Sequence, residues 1–423
     1  MKVLIITYYW PPAGGSGVQR WLKFVKYLQE FGIEPIVYTV DKPNYPIIDA
    51  SLENEIPKNI KILKQLIWEP NNFLSFFKKN KQESAGFLNP NPSFFGKILQ
   101  DVRANYFIPD ARKFWVKPSV IFLEKYLVEN KIDAVITSGP PHSLHLIGLQ
   151  LKQKTNIKWI SDFRDPWTDI DYFHQLPLTE KSIKKHTELE QKILQNSDAI
   201  LVVGKTMKEN YKKYNSNIYV VTNGFDAGFL EENIQLDTKF SITHIGLMNA
   251  DRNPKVLWKV LHEICNENID FKQDLEIKLI GKLANEVDES LAIFDENNIQ
   301  KIPYLSHKEV RIYQQRSQIL LLAINNVPSA KGILTGKIFE YLQAKRPVLG
   351  IGPTNGDAAE IIKNTNAGFI VDFEDEIKLK LVILNMYEAF KEGNLQVSSD
   401  NIKQYHRKEL TKRLSEIIKE TVQ

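Results

Sequence analysis

The 423-residue sequence predicts an α/β protein made of two doubly wound, parallel-sheet domains facing a cleft. Three observations carry this. The chain is longer than one ordinary domain of about 100–200 residues. Short apolar, β-branched runs alternate with segments of helical period, the order that gives parallel strands joined by right-handed crossovers. The alternation breaks into turn residues at "NGFDAGF" (223–229) and then begins again. In such sheets ligands bind outside the carboxyl ends of the strands.

The first array opens with "KVLII" (2–6), a buried strand, and the glycine-rich turn "PPAGGSG". Val18, Leu22, Val25 and Leu28 then recur at helical spacing, and Gly32 stops the helix. "EPIVYTV" (34–40) is the second strand. "DAVITS" (133–138), the helix "HSLHLIGLQLKQ" and "KWISDF" (158–163) follow a long irregular segment. A polar helix over about 179–196 leads to the strand "AILVVG" (199–204), a helix and the strand "IYVVTN" (218–223). The second array runs "SITHIG" (241–246), a helix near 254–267, "EIKLIG" (276–281), a helix, "IQKIPY" (299–304), a helix and "ILLLAI" (319–324). It ends with a helix near 336–344, "PVLGIG" (347–352), a helix near 357–364 and "GFIVDF" (368–373).

The composition, 43% hydrophobic and 25% charged, is that of a soluble globular protein. A net charge of +4 favours anionic ligands or an anionic surface without marking a nucleic-acid binder. The single cysteine, Cys265, excludes a disulfide framework within the chain and a thiolate zinc cluster, and suits a reducing compartment. Residues 1–40 read as strand, turn and helix rather than as a signal peptide. No apolar run approaches the roughly 18–20 residues of a spanning helix. The expectation is a cytoplasmic protein, with the inner face of the membrane as a resting place.

Residues 66–117 carry that membrane option. They hold eight Lys or Arg, four acidic residues and eleven aromatics, among them Trp68, Phe73, Phe76, Phe77, Phe94, Phe95, Phe114 and Trp115. Their charge excess equals that of the whole chain. Cations interleaved with large rings suit an anionic membrane interface. They equally suit an insertion that packs its rings into its own domain. Both readings stand at this point.

The opening turn resembles half of a dinucleotide fingerprint. The full G-x-G-x-x-G places an acid about 20 residues further on, and Asp41 ends the second strand. Counting from Gly15, however, the third glycine position holds Arg20, and Pro11 and Pro12 remove two backbone donors. A nicotinamide dehydrogenase is therefore the weaker reading. "TGKIFEYLQAKRPVLGIGPTNGDAAEII" (335–362) says more. Lys337 and Glu340 lie one turn apart on one helix face, which by itself reads first as an ordinary ion pair on an exposed helix. Glu340 can accept both hydroxyls of a ribose, and Lys337 can meet a phosphate nearer the helix start. "TNGDAAE" (354–360) adds amides at another helix N-terminus, with Glu360 beside them.

Together "KIFEYLQAKRPVLGI", "VVTNGFD" (220–226) and "IGLMNADRNPKVLWKVL" (245–261) resemble the retaining nucleotide-sugar glycosyltransferases of family 4, the "group 1" enzymes of GT-B fold. "ITSGPPHSLHLIG" and "SDFRDPW" (161–167) are similar to the bacterial aminosugar transferases of O-antigen and capsule assembly. The resemblance extends over the whole chain, and it implies three regions. Residues 1–225 would be an acceptor-binding Rossmann-like domain carrying the 66–117 insertion. Residues 226–404 would be a nucleotide-sugar-binding Rossmann-like domain. "YHRKELTKRLSEIIKE" would lie in a terminal helix, 405–423, crossing back to the first domain.

The resemblance also assigns residues. Glu340 matches the second acid of the E-x7-E motif, whereas Gly332 stands at the first. After Gly246, Leu247 replaces the usual Arg and Arg252 matches the usual Lys, leaving Lys337 to supply the missing cation. Gly14, Gly15, Gly246, Arg252, Lys337, Glu340 and Glu360 are thus the expected donor-binding residues. Arg164 stands near the family's strand-end His, and Asp162, Arg164 and Asp165 are expected to converge on the sugar or the acceptor as catalytic residues. Their alternative is a buried Arg164–Asp165 ion pair that stiffens the loop. Arg20 and His142 are assigned to the acceptor. His142 and His145 lack a third partner as metal ligands. "DID" (169–171) has chelating spacing but lies in the wrong domain, so no metal and no cofactor beyond the sugar nucleotide is expected.

The implied reaction is metal-independent, retaining transfer of a hexosyl or N-acetylhexosaminyl group to a polyprenyl-linked or saccharide acceptor. The diphosphate leaves from the front face, and Arg252, Lys337 and the Gly14–Gly15 amides stabilise its charge. A nucleotide-sugar epimerase of GT-B fold and a non-catalytic paralogue remain as rivals. Gly332 and Leu247 favour the second of these.

Overall fold

The computed structural model describes residues 1–68, 94–226 and 234–423. The chain forms two compact units, Met1–Asn223 with Arg407–Gln423, and Gly224–His406.

In the first unit β1 (Lys2–Thr7) leads through the glycine turn to α1 (Ser16–Leu28), then β2 (Glu34–Asp41) and β3 (Lys61–Leu66). After α2 (Phe94–Tyr106) and α3 (Val116–Asn130) come β4 (Ala134–Gly139), α4 (Ser143–Thr155) and β5 (Lys158–Phe163). Then follow α5 (Glu180–Asn196), β6 (Ala199–Val202), α6 (Lys205–Tyr211) and β7 (Ile218–Val220). All seven strands are parallel, in the order β3-β2-β1-β4-β5-β6-β7. The order reverses at β1, where Ile5 sits level with Val37 of β2 on one side and Ile136 of β4 on the other. β1 reads as a continuous apolar run because helices cover both of its faces.

The second unit contains β8 (Phe240–Ile245), α7 (Lys255–Glu267), α8 (Ile269–Asp274), β9 (Leu275–Ile280), α9 (Asn285–Leu291) and β10 (Ile299–Ile302). It continues through α10 (His307–Arg316), β11 (Ile319–Ala323), α11 (Gly336–Ala344), β12 (Val348–Ile351), α12 (Asp357–Asn364), β13 (Gly368–Val371) and α13 (Glu376–Lys391). These six strands are also parallel, in the order β10-β9-β8-β11-β12-β13, and reverse at β8. Capping is explicit at α10, where Ser306 and Glu309 form a capping box. The last helix, α14 (Arg407–Val422), belongs to the first unit. It buries Leu410, Leu414, Ile417 and Ile418 in the core shared with Val18, Trp21 and Val25 of α1. Arg407 donates to Gln19 at 3.2 Å, and Lys408 pairs with Glu30 at 2.6 Å.

Several elements depart from the sequence expectation, β3, α3 and α13 among them. β3 is an edge strand with no fully buried residue, so "KILKQL" lacks the apolar signature of its neighbours. α3 carries Pro118 inside its first turn, where the missing N–H is harmless, so the helix starts within the supposed insertion. α13 has a broad apolar face and was not anticipated at all. Within 66–117 the rings divide. Trp115 is fully buried and stacks on Tyr38 at 5.0 Å, whereas Trp68 and Phe114 are exposed. Phe73, Phe76 and Phe77 lie outside the described residues, as do the side chains of Phe94 and Phe95.

Candidate functional site

The topology marks two places at which to look, the carboxyl edges where each strand order reverses. In the first unit these are the β1–α1, β4–α4 and post-β5 loops. Gly15 takes φ +89 as the N-cap of α1, a conformation open to glycine, and offers no side-chain cap to the helix amides. Gly14 is tied to the following loop by its N–H to the Ile47 carbonyl at 2.9 Å. A Cβ on Gly14 would meet Ile47 Cγ2 at 2.8 Å. Gly17, the second glycine of the apparent fingerprint, serves another purpose. A Cβ there would lie 2.7 Å from Arg164 Nη1, which donates to the Gly17 carbonyl at 2.6 Å. The position is therefore filled by an arginine of the same unit and does not lie open to a pyrophosphate.

Arg164 is 8% exposed and spends its donors on backbone. Nε reaches the Gly139 carbonyl at 3.2 Å, Nη2 the Pro140 carbonyl, and Nη1 that of Gly17. One guanidinium thus fastens the loops that follow β1 and β4 to its own. Asp162 is fully buried and accepts from Arg20 Nη2 at 2.8 Å, Trp21 Nε1 at 2.8 Å and Ser138 Oγ at 2.8 Å. Burial alone would raise its pKa, but the Arg20 charge and these hydrogen bonds bring it below the usual value. Arg20, 4% exposed, also donates to the Thr222 carbonyl at 2.9 Å.

These contacts correct the expectation for Asp162, Arg164, Asp165 and Arg20. Asp162 and Arg20 form a buried salt bridge at 2.8 Å. Arg164 is a clamp, and its guanidinium bonds no carboxylate. Asp165 is exposed and within electrostatic reach of Arg164 and Asp162, so the three charges do lie together, but no buried Arg164–Asp165 ion pair is formed.

His142 and His145 stand beside this clamp. His142 stacks on Trp167 at 4.8 Å with a 5° interplanar angle, and the fully buried His145 stacks on Phe163 at 4.5 Å. Burial holds the His142 pKa well below the usual value and lowers that of His145 to about 3, so both rings are neutral. His142 Nδ1 and His145 Nε2 have no hydrogen-bond partner, and both face Gly139. Trp167 is itself held. Its Nε1 donates to His186 Nδ1 at 2.9 Å, and Glu190 accepts from its backbone N–H at 3.3 Å and from the Tyr211 hydroxyl at 2.7 Å. Glu190, His186 and Tyr211 went unseen in the sequence; only Trp167 lay within a quoted motif. Asp110 caps the start of α4, accepting from Ser143 N at 2.9 Å and Oγ at 2.8 Å.

The second unit's reversal edge is furnished differently. Gly246 follows β8 at φ +101, and Lys337 of α11 lies over it; a Cβ there would meet Lys337 Cε at 2.9 Å. Lys337 Nζ stands 3.3 Å from His244 Nε2. The other ring nitrogen, Nδ1, lies 3.3 Å from the Leu321 carbonyl, which fixes its proton there and presents Nε2 as an acceptor. Arg252, on the turn Ala250–Arg252, donates Nε to Asn325 Oδ1 at 2.9 Å and Nη1 to the Leu247 carbonyl at 3.0 Å. Leu247, standing where a second cation was expected, thus contributes its backbone to hold the first.

Burial, and then the Arg252 charge, push the Lys337 pKa down to about 7, against the pull of Glu340. Glu340 accepts from Gln314 Nε2 at 2.9 Å and has His307 Nε2 at 3.9 Å. The N-cap of α11, Thr335, makes no side-chain cap bond, so the amides beside Lys337 are not closed by it. Glu360 accepts from Asn364 at 3.4 Å and acts electrostatically on Tyr405. Gly332 closes a short turn whose Lys331 carbonyl packs on Gly356. Among the described residues no cluster of three or more His, Cys, Asp or Glu is placed to hold a metal ion.

The Glycosyltransferase Family 4 profile matches residues 15–229 of the chain. No curated protein matches the sequence. Among solved structures, a glycosyltransferase from Rickettsia africae is 16% identical with a TM-score of 0.63, covering 100% of this chain and 98% of that one. Sucrose-phosphate synthase of Thermosynechococcus elongatus is 12% identical with a TM-score of 0.64, covering 99% and 98%. Anabaena HepE, solved in complex with UDP-glucose, is 10% identical with a TM-score of 0.61, covering 99% and 100%. At these identities the likeness shows the shared two-domain fold.

Proposed function

The chain belongs to glycosyltransferase family 4, and from that premise we propose that it is a nucleotide-sugar glycosyltransferase, with the substrates and residues that follow. The donor is a nucleoside-diphosphate hexose or N-acetylhexosamine. The acceptor is a hydroxyl of a surface or lipid-linked glycan, and the anomeric configuration is retained. The observation that carries the reading is the grouping of Lys337, His244, Gly246 and Arg252 at the reversal edge of the second sheet. Two cations at one strand edge, beside helix amides with no side-chain cap, suit a diphosphate of two to three negative charges.

Each residue then has a task. Lys337 and Arg252 neutralise the diphosphate as its bond to the sugar breaks, so its leaving oxygen can take the proton of the incoming hydroxyl. Gly246, without a side chain, lets the phosphate approach the backbone. Glu340 accepts the ribose hydroxyls, with Gln314 orienting its second oxygen. Arg164 keeps the first-unit loops in place, and Gly14, Gly15, His142 and Asp165 form the acceptor-side surface. With two cations supplied by the chain, the reading needs no metal ion.

The test is calorimetric titration of the full chain with UDP, GDP and dTDP and their sugars, followed by acceptor assays. One nucleotide series should bind, and Lys337→Ala should weaken it. Absence of binding to every nucleoside diphosphate would overturn the reading in favour of a non-catalytic paralogue. Conversion of the donor sugar without any acceptor would point instead to an epimerase.

A further inference from the structure

The helix α2 is mounted the wrong way round for a soluble protein. An amphipathic helix ordinarily buries its apolar stripe and exposes its polar face. Here Ile98, Leu99, Val102 and Tyr106 fall on one stripe at i, i+1, i+4 and i+8, and they are 45%, 42%, 36% and 70% exposed. The partly buried side is small and polar: Gly96, Gln100, Ala104 and Asn105. Asn105 fastens that side to the protein, donating to the Pro177 carbonyl at 2.7 Å and accepting from Thr179 N at 2.8 Å. The outward orientation of the stripe is therefore built in by hydrogen bonds on the opposite face.

The stripe continues beyond the helix. Lys113 Nζ donates to the Tyr106 carbonyl and lies over the rings of Phe107 and Phe114 at 5.2 and 5.3 Å. Phe114 meets Trp68, which is 61% exposed, edge to face at 4.7 Å. Exposed aromatics with an adjacent cation have an apolar body and a polar, wet end, the combination suited to headgroup depth. Lys97 and Arg103 flank the stripe on the helix itself, with Asp101 as the helix's one acidic residue. A contiguous exposed apolar patch of this kind marks a surface with a partner. The cations beside it select an anionic one.

We infer that α2, with Trp68 and Phe114, is an interfacial docking surface for an anionic lipid bilayer, lying in the headgroup plane. It inserts Ile98, Leu99, Val102 and Tyr106, while Lys97, Arg103 and Lys113 meet lipid phosphates. No helix among the described residues is long and apolar enough to cross a membrane, so the attachment is of the surface kind. The inference does not depend on which sugar or acceptor the enzyme uses.

Co-sedimentation of the full chain with phosphatidylcholine vesicles, with and without phosphatidylglycerol, tests it. Binding should require the anionic lipid and weaken as salt rises. Lys97→Ser with Arg103→Ser should lower partitioning about fivefold for each cation removed. Ile98→Ser with Val102→Ser should lower it by about tenfold or more. Both double variants alter exposed residues only, and nucleotide affinity, carried by the second unit, should be unchanged in each. Equal binding to neutral vesicles, or full retention of binding by both variants, overturns the inference. So does a dimer in sedimentation equilibrium that Ile98→Ser with Val102→Ser abolishes, which would make the occupant a second copy of the chain.

Discussion

The reversal edges of the two sheets share a topology and differ in what their charges are doing. At the first, Asp162 and Arg20 neutralise each other, Arg164 is spent on three carbonyls, and the histidines are held neutral. At the second, Lys337 stands beside a neutral imidazole, with Glu340 one turn along its helix, and Arg252 donates to an amide oxygen and a carbonyl. Like residue types thus make a frame in one place and, on the reading proposed above, a receptor in the other. A charge at a strand's carboxyl end that is paired with an opposite charge inside the fold, as Asp162 is with Arg20, is a structural element before it is evidence of a ligand.

The largest effect should come from breaking the frame. Asp162→Ala strands Arg20 inside the first unit, at a cost of about 3–5 kcal/mol. The first unit's melting temperature should then fall by roughly 6–20 °C in calorimetry. If Tm does not move, the first edge is not a frame and Asp162 returns to the list of ligand contacts. Lys337→Ala should do the reverse, leaving Tm nearly unchanged while weakening nucleoside-diphosphate affinity by about 10- to 100-fold in titration calorimetry. A smaller loss, of about tenfold, is expected for Glu340→Ala, and it should be absent with inorganic pyrophosphate because that ligand has no ribose.

The subtlest consequence is a proton. Lys337 in the free protein titrates near pH 7, and His244 stays neutral because burial and the two neighbouring cations hold its pKa well below the usual value. A bound diphosphate favours the ammonium form and raises the Lys337 pKa. Below pH 7 the amine is already charged, and affinity should be level. Above pH 7 binding must take up a proton, so affinity should fall by as much as about tenfold per pH unit until the bound-state pKa is reached. Lys337→Arg, charged at every accessible pH, should flatten this dependence; an unchanged slope would show that another group titrates. Arg252, Glu340 and His307 are the other charged or titratable groups around the lysine.

Much of this was legible in the chain. Alternating apolar runs located both sheets, and the family-like motifs around Lys337 and Glu340 pointed to the edge proposed for the donor. What stayed hidden depended on partners distant in sequence. Nothing in "GSG" announces that Arg164, 147 positions on, will lie against Gly17. Glu190 reaches Trp167 across 23 positions, and His244 meets Lys337 across 93. Edge strand β3 and helix α3 were missed because one face of an edge strand need not be apolar, and because a proline in a first turn looks like an interruption. The aromatics of 66–117 could not be sorted into buried and exposed from composition, since Trp115 and Trp68 differ in neighbours and not in kind.

The placement of α14 bears on how the protein is made. The first unit is discontinuous in sequence, and its core includes Leu410, Leu414, Ile417 and Ile418. During synthesis the amino-terminal residues emerge long before these four, so one flank of α1 stays uncovered while the whole second unit is translated. The second unit, continuous from Gly224 to His406, can complete itself first. A chain cut short before Arg407 would therefore damage the unit that was synthesised earliest and spare the one made last.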